Sequence, residues 1–208
     1  MKIKILISIF VISLQIFINS QAQATQLTDN PPKSQIKSIQ ILKDQAIISY
    51  KKGNYKEALT YLENIDSNNF DEETLILAAN CYDKDGNTDK AIEYLQRVLE
   101  INPNNSYAYY NLGIINFNNG NTAIAINNFT RAIKANKKFN AAYYNLGISY
   151  YNVKDYKKAL KYFNKAHKLN PDNQNICYNL ALTYETLGNV KKAQKYFDLY
   201  DFLSNVKN

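Results

Sequence analysis

Asn54-Tyr55-Lys56-Glu57-Ala58-Leu59 returns as Asn87-Thr88-Asp89-Lys90-Ala91-Ile92, and again as Asp155-Tyr156-Lys157-Lys158-Ala159-Leu160. The alanine inside this stretch recurs as Ala58, Ala91, Ala125, Ala159 and Ala193, at steps of 33, 34, 34 and 34 residues. A period in this range marks a stack of two-helix units, none of which can bury its apolar face alone. The expectation is an all-α solenoid. The functional question then becomes what the stack holds.

Working outward from the alanines, the units fall at residues 39–71, 72–105, 106–139, 140–173 and 174–208. In the third, Tyr109, Leu112, Gly113 and Asn116 share one helix face, and Tyr143, Leu146, Gly147 and Tyr150 repeat the steps in the fourth. Gly53, Gly86, Gly120 and Gly188 mark the turn, where a helix end needs a left-handed residue. Lys154 takes that place in the fourth unit, which predicts a strained or differently shaped turn. Each second helix carries the alanine and then a large apolar residue: Leu62, Leu95, Phe129, Phe163 or Phe197. Pro103 and Pro171 end second helices, because proline cannot continue the hydrogen-bond ladder.

The ends read differently. Lys2 and Lys4 precede an apolar run from Ile5 to Ile18, and Ala22-Gln23-Ala24 follows. This is the form of a secretory signal peptide, residues 1–24, touching the membrane only in transit. An uncleaved anchor is the rival, disfavoured because the run is shorter than the roughly 20 residues a bilayer needs. The expected location is therefore outside the cytoplasm, periplasmic or secreted. Residues 25–38, with Pro31-Pro32, read as a flexible leader. At the other end Tyr200, Phe202 and Leu203 either fold back over the last unit or leave a docking patch for weak self-association.

The formal net charge is +7, but its distribution is uneven. Residues 61–105 hold ten acids and three bases, residues 106–208 fourteen bases and five acids. Such a dipole steers charged partners or favours head-to-tail association. The plainer reading is that Lys157, Lys158, Lys161, Lys165 and Lys168 solvate an outer helix face. Cys81 and Cys177 sit three units apart, too far for a bridge, and read as small buried hydrophobes.

Catalytic chemistry finds little support. His167 is the single histidine, with no second one to complete a metal site, so zinc chemistry is not expected, and Cys177 has no evident third group to orient a base. No glycine-rich phosphate loop is present, and neither a cofactor nor a small-molecule substrate is implied. The alternative from another class is a nucleic-acid-binding helical repeat, with the basic half for charge and tyrosines for stacking. The export signal and a pair of arginines, Arg97 and Arg131, argue against it.

The columns Tyr109-Tyr110-Asn111-Leu112-Gly113 and Tyr143-Tyr144-Asn145-Leu146-Gly147, the recurring alanines, the phenylalanines, Asn102-Pro103 and Asn170-Pro171 resemble the tetratricopeptide repeat family. Departures are Asp44-Gln45-Ala46 and Ala78-Ala79 in place of Leu-Gly, and Lys137 in place of a terminal proline. The resemblance implies a right-handed superhelix of about five helix-turn-helix repeats, whose first helices line a concave groove for another protein. The implied groove residues are Tyr107, Tyr110, Asn111, Ile114 and Phe117, then Tyr144, Asn145, Ile148 and Tyr151, then Tyr178, Asn179, Leu182 and Glu185. Asn111, Asn145 and Asn179 then form a ladder; amides of this kind hold a peptide main chain in some family members. Lys43 is the one basic side chain at the steps that clamp a carboxylate, so an uncharged or apolar segment is the expected ligand.

Overall fold

The computed structural model describes residues 33–205. The signal-peptide reading of residues 1–24 and most of the leader lie outside them. Ten α-helices follow one another among the described residues: α1 (Lys33–Lys51), α2 (Tyr55–Glu63), α3 (Glu72–Lys84), α4 (Thr88–Ile101), α5 (Ser106–Asn118), α6 (Thr122–Ala135), α7 (Asn140–Asn152), α8 (Tyr156–Leu169), α9 (Gln174–Thr186) and α10 (Val190–Asn205). A 3₁₀ turn at Ser67–Asn69 joins α2 to α3. Two compact units divide at Asp44 and Gln45. The described part of the first is the opening of α1, where Ile36 and Ile41 are about half exposed. Because α1 starts at Lys33, helix replaces the last residues of the expected leader; nothing from Lys33 to Ser38 breaks a helix once Pro32 is passed.

In the second unit each helix from α2 onward packs on the next, and the first helices α3, α5 and α7 also touch in succession. Second helices meet the first helices on either side. Side-chain caps fix several starts: Asp71, Asn87, Asn105, Asp155 and Asn173 each accept a backbone N–H from the first turn of the helix they precede. The hairpin turns share one geometry. Gly120 N–H donates to Phe117 O at 3.0 Å and Asn121 N–H to Asn116 O at 2.8 Å, closing a Schellman motif. Lys154 keeps the same pair of bonds, to Tyr151 and from Asp155 to Tyr150, at φ 61°. The turn is unchanged in shape and strained in backbone.

The recurring alanines are buried, four of them completely. Phe129 and Phe163 are fully buried against Gly113 and Gly147, where a Cβ atom would lie 2.5 Å from the nearest ring carbon. Glycine is thus required there for close approach, not for backbone freedom. Cys81 and Cys177 are free and buried; burial pushes the Cys81 thiol up to about 12. No helix of the described residues is long and apolar enough to cross a membrane.

Candidate functional site

The residues the resemblance points to lie on α5, α7 and α9, the first helices of the last three hairpins. Their tyrosines divide into two kinds. Tyr107 and Tyr178 are exposed, at 58% and 41%. Tyr110 and Tyr144 are half-buried and lean into the seam between hairpins: Tyr110 lies 5.9 Å from Phe129 and 4.9 Å from Phe139, and Tyr144 lies 6.0 Å from Phe163. Burial raises the pKa of both hydroxyls, and the asparagine hydrogen bond each accepts partly offsets this. Both stay protonated at neutral pH. Ile114, Phe117, Ile148 and Tyr151 are half-buried and pack against the same apolar clusters; Leu182 is half-buried and Glu185 exposed.

The asparagines carry a structural role that the column pattern did not announce. Asn145 Nδ2 donates to Tyr110 Oη at 3.0 Å and to Ala141 O, one turn earlier, at 3.1 Å. Asn179 repeats this with Tyr144 Oη at 3.0 Å and Asn175 O at 2.8 Å. Both protons of each amide are therefore engaged within the stack, which leaves Oδ1 as an acceptor and the tyrosine O–H as a donor. Asn111 departs from the pattern. The preceding unit has Ile76 in the tyrosine column, and Asn111 bonds to Asn80 Oδ1 at 3.0 Å instead. Below the asparagines, Ser149 and Thr183 are buried and donate to Asn145 O and Asn179 O.

Three further residues belong to this surface: Phe139, Phe197 and Tyr200. Phe139, which precedes α7, lies 5.0 Å from Tyr107 and covers Tyr110. Its signal was the aromatic at the close of the third unit, beside Lys137. At the C-terminal end Tyr178 meets Phe197 at 6.1 Å and Tyr200 at 5.3 Å. Leu203 is buried while Phe202 is 62% exposed, so the end is covered in part and open in part. His167 is half-buried with Nδ1 3.9 Å from Cys177 Sγ. Burial first, then Lys195, hold its pKa below the ordinary value. No cluster of metal-ligating side chains occurs among the described residues.

Paired helices, several of them capped at their starts, with hairpins closed by left-handed turns and small residues on the packing face, define a tetratricopeptide-repeat protein. Family models described as tetratricopeptide repeat match residues 49–112, 106–139, 141–173 and 174–200, and the chain belongs to that family. Among solved structures it is similar to MamA. One crystal structure of MamA shares 28% identity over 78% of this chain and 95% of its own, with a TM-score of 0.69. A second shares 28% over 82% and 94%, with a TM-score of 0.68. A MamA RS-1 double mutant, 20% identical over 82% and 97%, reaches a TM-score of 0.72 and speaks for the fold. No curated protein matches the sequence. Family and fold together define a protein-interaction scaffold of a typically non-catalytic kind.

Proposed function

We propose that the chain is a non-catalytic adaptor that holds an extended segment or a helix of another protein against α5, α7 and α9. One observation carries the reading. The Asn145–Tyr110 and Asn179–Tyr144 pairs present one acceptor and one hydroxyl donor per repeat, beside the exposed rings of Tyr107 and Tyr178. Such spacing suits a main chain running along the stack, and the rings supply the amphipathic area favoured at interface anchors. Groups one repeat apart favour a ligand several residues long. Weak self-association at the C-terminal end belongs to the same reading, supported by Phe197, which stays half-buried where Phe129 and Phe163 are fully buried. Export to the periplasm or medium is proposed from the N-terminal sequence alone.

Photo-crosslinking tests the groove. A benzoyl-phenylalanine at Tyr107 or Tyr178 is expected to capture another protein that the same probe at Lys161, on the outer helix α8, does not. Equal capture from all three positions rejects the groove. Fractionation with sequencing of the protein's N-terminus tests export, and a full-length cytoplasmic chain rejects it.

A further inference from the structure

The seam between the first two hairpins differs from the others in a way that leaves a cavity. Helix α2 has 9 residues, whereas α4, α6 and α8 have 14. The missing turn is replaced by the linker with its 3₁₀ turn, and a cavity of about 350 Å³ remains. Leu59, Leu62, Ile65, Ala78 and Tyr82, all buried, line it together with the half-buried rings of Phe70 and Tyr94. The exposed lining residues are Glu63, Asp66 and Ser67. An apolar interior with a few polar groups at one side is the ordinary build of a small-ligand site, and the volume falls in the usual range.

We propose that this cavity binds an apolar primary ammonium ion: the hydrocarbon part fills the Leu-Ile-aromatic interior and the –NH₃⁺ group meets Glu63 and Asp66. The charge around it supports the sign. Neither carboxylate forms an ion pair with a cation among the described residues, and the surrounding stretch, residues 61–105, carries a net −7. The rings of this seam already attract cations. Lys90 Nζ lies 4.9 Å from the Tyr82 centroid, and Arg97 lies 5.2 Å from Tyr94 and 6.0 Å from Phe70. Neither basic side chain lines the cavity. The site is independent of the groove on α5, α7 and α9, and the sequence pattern gives no sign of it.

The same chemistry is carried by free amines and by the N-terminal residue of a peptide. The test titrates the full chain with 2-phenylethylamine, ethylbenzene, 3-phenylpropanoate and the amide of Phe-Ser-Ser, following methyl and aromatic NMR signals. Saturable shifts at Leu59, Leu62 and Ile65 are expected with the amine or the peptide, and the tighter of the two names the source. Ethylbenzene is expected to bind more weakly and 3-phenylpropanoate not at all. The double variant Glu63→Gln, Asp66→Asn changes exposed side chains and is expected to weaken amine binding about tenfold while leaving ethylbenzene unaffected. Binding of 3-phenylpropanoate as tight as the amine, absence of saturable amine binding, or equal amine affinity in the double variant overturns the proposal.

Discussion

The side-chain amide of Asn145 donates to the hydroxyl of Tyr110, 35 residues earlier and one repeat away, at 3.0 Å. Asn179 stands in the same relation to Tyr144. A column that resembles a peptide-holding ladder is therefore also the bond that ties each of the last two hairpins to the one before it. Solenoid stability is largely a sum of such nearest-neighbour terms.

Removing one partner of this pair is expected to cost about 1 kcal/mol, the net worth of a partly buried hydrogen bond. Tyr110→Phe, Asn145→Ala and the double variant form a cycle measured by urea unfolding. A coupling energy of about 0.5–1.5 kcal/mol is expected. Strictly additive losses mean that the two side chains do not act on each other.

Gly147 sits inside α7, where alanine normally gains about 1 kcal/mol over glycine. Here the added methyl would meet Phe163 at 2.5 Å, and overpacking costs about 1–3 kcal/mol. Gly147→Ala is expected to lower the urea midpoint, and Phe163→Leu in the same chain to restore part of the loss. A rise in midpoint for Gly147→Ala alone contradicts the close approach.

Lys154 holds φ 61° where the four other hairpins place glycine at φ 75–87°. A non-glycine side chain in this region costs about 1–2 kcal/mol, and part of the gain on replacement is lost to the flexibility of glycine in the unfolded chain. Lys154→Gly is expected to stabilise by roughly 0.5–1 kcal/mol, read as a higher melting temperature. An unchanged or lower value shows that the lysine conformation carries no strain.

His167 titrates below its ordinary 6.5 in the folded chain, through burial first and Lys195 second. Between the folded and unfolded values the unfolded chain binds more protons, so stability rises with pH there. Its contribution is complete above 6.5 and is lost as pH falls through the window below that value. The single histidine gives one NMR titration curve, expected to move to a higher midpoint in denaturant. Equal midpoints in the two states remove the effect.

The buried Cys81 thiol, pushed up to about 12, is expected to resist maleimide at pH 8 in the native protein, because the thiolate is the reactive form. Mass spectrometry after brief labelling, with and without guanidinium, reads this directly. Rapid native labelling means that the seam around α3 opens readily.

The hairpin order was legible in the sequence because each repeat states it again. Ala58 to Ala193, the turn glycines and the phenylalanine column all bear on local geometry and on packing between near neighbours, and those constraints act at fixed chain spacing. Leu112-Gly113 and Leu146-Gly147 were legible as one repeated helix face, whereas the close approach of Phe129 and Phe163 to those glycines is seen in the structure. What the tertiary structure decided is which partner each polar group finds. Asn145 and Asn111 look alike in sequence, yet one bonds Tyr110 and the other Asn80, since Ile76 offers no hydroxyl. Likewise the cavity beside Leu59 and Tyr82 arises from a helix that stops early, and the space it leaves depends on where a linker with no repeat counterpart comes to lie. Periodic sequence fixes periodic contacts; side-chain pairing across a seam, and the gaps in it, depend on three-dimensional distances that chain spacing does not encode.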